Sequence, residues 1–150
     1  MPKRSPQQAA AGRAQPSGHW LVKQEPESYP WRAFEREGRT RWEGVRNYQA
    51  RNNLGQMRQG DPVLFYESGD SKSVAGIASV ARAAYPDPTA EEPGWVAVEL
   101  AAVRALGRPV TLAQIKAEPA LRGILLVRNS RLSVMPLDRG AFERIVAMGA

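Results

Sequence analysis

Residues 42–54, WEGVRNYQARNNL, bring Trp42, Arg46, Asn47, Tyr48, Gln49, Arg51, Asn52 and Asn53 together around a single acid, Glu43. Amides and guanidinia are poor material for a dry core, because each buried donor or acceptor left unpaired costs about 1–3 kcal/mol. They suit a different task. A planar base needs a ring to stack on, an amide or backbone group for its edge and a guanidinium for its phosphate. The competing reading is a solvated helix face with Asn47 as its N-cap. That accounts for Asn47 and Arg51, but not for asparagine, a poor helix former, at three positions between 47 and 53. Both readings stay open on chemistry alone.

Lys23 and Glu25 close a short apolar stretch, HWLVK, and in a strand residues two apart share a face. Such a pair can act as a base, or as donor and acceptor for a ligand edge. The plainer role is an ion pair at a strand end, worth about 0–1 kcal/mol if exposed. Residues 128–134, RNSRLSV, repeat the polar mixture through Arg128, Asn129, Ser130, Arg131 and Ser133, at a place where a hairpin turn would favour Asn and Ser anyway. Among the tryptophans, Trp31 shares a helical face with Phe34 and Trp95 opens an apolar strand, so both read as core. Trp42, bracketed by Arg41, Glu43 and Arg46, reads as the rim of a site, and Trp20 fits either role.

Other chemistries find no footing. The sequence has no cysteine and one histidine, His19, which removes thiol nucleophiles, thiolate zinc sites and histidine clusters. It contains no GxxxxGK[ST], GxSxG or HExxH, and GIASVAR keeps one glycine where a phosphate loop needs several. A net charge of +6 and a pI near 10.2 favour anionic partners. Arg39, Arg41, Arg46, Arg51 and Arg58 make the region around the opening stretch the most basic part of the chain. No apolar run is long enough for a membrane span and no secretory h-region is present, so a cytoplasmic location is expected, or a nuclear one in a eukaryote.

These residues need elements to hold them. Residues 1–17 are rich in Pro, Gln, Ala and Ser and carry only positive charge, so a disordered basic tail is expected there, with one folded domain over 18–150. HWLVK predicts a first strand; Pro30 to Glu37 a short helix stopped by Gly38; TRW a strand; and Ala50, Leu54 and Met57 the buried stripe of a second helix. Residues 61–68 and 73–85 read as a hairpin, 85–94 as a Pro-rich loop and 95–100 as a strand. Thr111 and Gln114 form a capping box, with Val110 and Ile115 as its staple, for a helix ending before Pro119. Residues 123–137 predict strand, polar turn and strand, and Asp138 caps a closing helix. Frequent short strands without regular strand–helix alternation indicate an α+β domain, with a small mixed sheet curled into a barrel and helices packed outside.

Seven blocks in order, WLVKQEP, WEGVRNYQARNNL, MxxGDPVLFY, GIAxV, AYPDPT, PVTLAQIK and SRLSVMP, resemble the EVE domain family over about residues 19–148. The resemblance implies a PUA-like fold, a small, partly open mixed β-barrel with flanking short helices, related to the YTH and ASCH domains. It also implies an aromatic pocket for a modified nucleobase, modified cytosine among the candidates, in DNA or RNA. Matched block by block, the implied site holds Trp20, Lys23 and Glu25 from the first and Trp42, Val45, Arg46, Asn47, Tyr48 and Arg51 from the second. Tyr66 and Ser68 follow at the end of LFYES, and Ser130, Arg131 and Ser133 come from the last block.

The expected function is thus a monomeric, non-catalytic reader of a modified base, with Arg46, Arg51 and Arg131 on the backbone. No cofactor, metal or membrane partner is expected. Two alternatives remain: a small ASCH-like amidohydrolase of modified nucleosides using Lys23, Glu25 and a serine, and a protein-interaction module.

Overall fold

The computed structural model describes residues 18–150, so the expected tail, 1–17, lies outside the described residues. Along the chain run β1 (His19–Gln24), α1 (Trp31–Glu37), β2 (Arg39–Trp42), α2 (Tyr48–Gln56), β3 (Pro62–Glu67), β4 (Ser73–Pro86) and β5 (Val96–Thr111). There follow α3 (Leu112–Ala117), a 3₁₀ turn (Pro119–Leu121), α4 (Leu125–Arg128), β6 (Val134–Leu137) and α5 (Arg139–Met148). The strands make one mixed sheet in the order β2-β5-β4-β3-β1-β6, parallel between β1 and β3 and antiparallel elsewhere. Its outer strands, β2 and β6, do not pair with each other, so the sheet is open. Register shifts interrupt β3–β4 after Phe65 and recur between β4 and β5. Each such bulge bends its strand and adds twist, which lets two long strands wrap a core.

Local chemistry sets the element ends. Gly38 stops α1 in the left-handed region at φ 80° and donates its N–H to the Phe34 carbonyl. The capping box at Thr111 and Gln114 is formed in both directions, with Val110 and Ile115 buried beneath it. Asp138 accepts the Ala141 N–H at 2.7 Å and caps α5. Pro136, which cannot donate to a ladder, sits in β6, where only one edge is paired.

An aromatic cluster fills the core. Phe65 meets Trp31 at 5.4 Å, Phe34 at 5.6 Å and Trp42 at 5.8 Å between ring centroids. The single glycine of GIASVAR explains itself here: a Cβ on Gly76 would come within 2.4 Å of the Trp31 ring.

The structure corrects the sequence reading in three places. Residues 125–128 form a turn of helix, with Ile124 accepting from Val127 and Arg128, where a strand was expected. An apolar run as short as ILLV fits either state, and pairing does not decide it until β1 takes β6. The strand beginning near residue 95 continues to Thr111, because β4 pairs with it across bulges all the way to Ser73. Finally, Trp42 is 6% exposed, packed on Phe65, whereas Trp95 lies only partly buried just before β5.

Candidate nucleic-acid interface

Because β1 and β3 run parallel, with Lys23 opposite Tyr66, their C-terminal ends deliver Lys23, Tyr66 and Ser68 to one side of the sheet. Lys23 is fixed from the other side by the 129–133 segment: its Nζ donates to the Ser130 carbonyl at 2.7 Å and its N–H to the Ser133 carbonyl at 2.9 Å. The ammonium lies 5.9 Å from the centre of the Tyr66 ring. Burial lowers the Lys23 pKa and raises that of the Tyr66 phenol. Ser68 donates its N–H to the Gln24 carbonyl at 2.9 Å. Glu25, exposed beyond the end of β1, makes no ion pair with Lys23. Arg131 is exposed, its N–H held by Asn129 Oδ1 at 3.3 Å.

A second group gathers at the start of α2, where each asparagine has its own task. Asn47 Oδ1 accepts the Ala50 N–H at 2.9 Å as N-cap. Asn52 Oδ1 accepts from Arg51 at 3.1 and 3.3 Å. Asn53 Nδ2 donates to the Val134 carbonyl at 2.8 Å and ties the helix to β6. With 3.6 residues per turn, Arg51 and Asn53 flank the buried Ala50–Leu54 stripe on opposite sides. The helix therefore separates the β6 side from a face where Tyr48 stacks on Trp95 at 5.1 Å and 25°. Over that face the Arg51 guanidinium lies 4.9 Å from the Tyr48 ring and 5.5 Å from Trp95, and Arg46 lies 5.5 Å from Trp95.

Asp87 organises the approach to α2. Its side chain is fully buried, and it accepts from Arg46 Nη1 at 3.0 Å, from the Gly44 N–H at 2.8 Å, and from the Thr89 N–H and hydroxyl at 2.7 and 2.6 Å. Burial alone would raise its pKa. The hydrogen bonds from Thr89, Gly44 and Arg46 outweigh burial and hold it well below the usual carboxylate range. Arg46 also reaches the Val45 carbonyl at 2.9 Å and the Thr89 hydroxyl at 3.2 Å, so much of its charge is committed within the protein.

The structure thus brings Lys23, Tyr66, Ser130 and Ser133 together, and separately Arg46, Tyr48 and Arg51. It does not bring Trp20, Trp42 or the Tyr66 ring to a surface: all three are buried, Trp20 fully and with its Nε1–H on Asp61 at 2.9 Å. Trp95, Asp87 and Thr89 were missed. Asp87 and Thr89 stood in the sequence as loop residues of YPDPT, and Trp95 as the head of an apolar strand. Among the described residues no group of three His, Cys, Asp or Glu side chains could hold a metal, and no helix is long and apolar enough to cross a membrane.

An open mixed sheet with short flanking helices defines a PUA-like domain. The EVE domain model matches residues 18–148. The chain belongs to the EVE domain family. Human thymocyte nuclear protein 1 is 32% identical over 166 residues, covering 88% of this chain and 74% of that one. The crystal structure of the human protein in complex with 5-methylcytosine containing DNA superposes at a TM-score of 0.80, with 32% identity over 87% of this chain and 96% of that one. A crystal structure from Agrobacterium tumefaciens gives 0.86, with 38% identity over 88% and 92%. An ASCH structure from Zymomonas mobilis, at 0.56 and 14% identity over 89% and 97%, shares the fold alone.

Proposed function

We propose that the chain reads a modified cytosine in DNA and leaves it chemically unchanged. The observation that carries this reading is the likeness to the human protein crystallised with 5-methylcytosine containing DNA. The chemistry at Lys23 supports it. An ammonium has three donors, of which one goes to Ser130, so others remain for the carbonyl oxygen of a pyrimidine. The Tyr66 ring, 3% exposed, backs the lysine from within the core, and Ser130 and Ser133 border it through the backbone. Arg51, without an acidic partner among the described residues, meets the strand. The amidohydrolase reading would require Lys23, Glu25 and a hydroxyl to converge; Lys23 holds a carbonyl instead and Glu25 stands in water.

The test is a fluorescence anisotropy titration with matched oligonucleotides carrying one 5-methylcytosine or cytosine, as DNA and as RNA. A methyl group in an apolar niche is worth about 1–3 kcal/mol, so the methylated DNA should bind about tenfold tighter. Equal affinity for both bases overturns the reading, and a preference for the RNA overturns its DNA part. Incubation with acylated cytidines should give no product.

A further inference from the structure

Tyr48 stacks on Trp95, yet 67% of its surface stays in water. Two arginines lie against that pair. Asp87 braces Arg46 against one side of Trp95, while Arg51 lies over both rings. Beside it opens a cleft of about 390 Å³ lined by Arg46, Thr89, Glu91, Glu92 and Trp95. Packing alone does not account for the arrangement, because a large ring held at the surface gains little from burial.

We infer that Tyr48 and Trp95 form a stacking platform for an unpaired base of the DNA strand, outside the group around Lys23; the ligand class rests on the function proposed above. The charges decide which part of a nucleotide fits. With Arg46 committed to Asp87, and Glu91 and Glu92 in the cleft, its floor repels phosphate and accepts an uncharged ring. Arg51, against both rings and outside the lining of the cleft, is the charge left for the connecting phosphate. Every base has a π-face, so such a platform adds affinity without distinguishing one base from another. A base inside a duplex has both faces covered, so the occupant is unpaired.

The test compares the parent with Trp95→Leu, which keeps apolar bulk, and Trp95→Phe, which keeps a ring. The probes are a short single-stranded DNA with one 5-methylcytosine, its unmethylated match, versions with an abasic position on either side of that residue, and free 5-methyl-2′-deoxycytidine. Trp95→Leu should weaken both strands by a similar factor, about tenfold, while nucleoside binding and thermal midpoint stay near the parent's. Trp95→Phe should recover most of the loss. One abasic position should weaken the parent but add nothing to Trp95→Leu. Since Trp20, Trp31 and Trp42 are buried, quenching of tryptophan emission by the strand should vanish with Trp95. Strand binding by Trp95→Leu equal to the parent's, or an abasic penalty undiminished in it, overturns the platform. If the parent shows no preference for the methylated strand but loses affinity with Trp95, the proposed reading fails and the platform stands.

Discussion

Removing the Asp87 carboxylate would strand the N–H groups of Gly44 and Thr89 and release Arg46 from its only acidic partner among the described residues. Asp87→Ala should therefore lower stability by about 2–4 kcal/mol, read by urea unfolding. Its pH dependence has a definite sign. An unfolded aspartate titrates near about 3.9, and the folded one lies below that, so the stabilisation is complete above this pH and is lost as acid protonates the folded carboxylate. The stability gap between the parent and Asp87→Asn should be widest at neutral pH and begin to narrow as the pH falls below about 4. A gap constant between neutral pH and strong acid would show that hydrogen-bond geometry, and not charge, is what Asp87 supplies. At the other group, Lys23→Met keeps length and apolar bulk but removes every donor; it should cut affinity for the methylated strand about tenfold or more while leaving the fold intact. Asn47 separates by substitution as well. Asn47→Asp keeps the capping oxygen and loses the amide donor, so unchanged discrimination between cytosine and 5-methylcytosine in that variant confines Asn47 to its observed capping role.

Elements fail at their contacts, and two contacts here are specific enough to predict. Gly76 passes under Trp31, whose ring is pinned by Phe34 and Phe65, so Gly76→Ala forces α1 away from β4. Overpacking of this kind costs about 1–3 kcal/mol, visible as a lower thermal midpoint. Helix α2 is fastened to β6 by Asn53, and Asn53→Ala should cost about 1 kcal/mol by the same measurement. The caps of α1, α2, α3 and α5 were legible in the sequence because a cap is a local transaction: Gly38, Asn47, Thr111 with Gln114, and Asp138 each act within a few residues. The full span of β5 was not. Gly107 and Pro109 look like breakers and fall in a register shift, but β4 pairs on both sides of it, at Ala105 and Val110, and Gly107 leaves room for the backbone at Gly149 and Ala150.

For the whole molecule the same distinction explains which parts of the site could be read. Lys23, Tyr48 and Arg51 stand out as candidates by type and neighbourhood. Trp95 meets Tyr48, and Asp87 meets Gly44 and Arg46, through contacts that span tens of residues and that no local pattern records. Collectively the basic face should make binding steeply salt-dependent, with a log–log slope of about −0.7 to −0.9 for each phosphate neutralised. A flat response to salt would leave the net charge of +6 without a role in binding. The sheet order also has a consequence in time. β1 is made before the other described strands, yet it lies between β3 and β6, and its partners Val134 and Met135 belong to the last of them. Until they arrive a nascent chain carries an apolar strand with one open edge, the kind of edge that recruits other chains. Lys23 waits as long, since both its anchors are carbonyls of residues 130 and 133. A ribosome-bound fragment stopping short of them has the chemistry of the site written in its sequence and no site to offer.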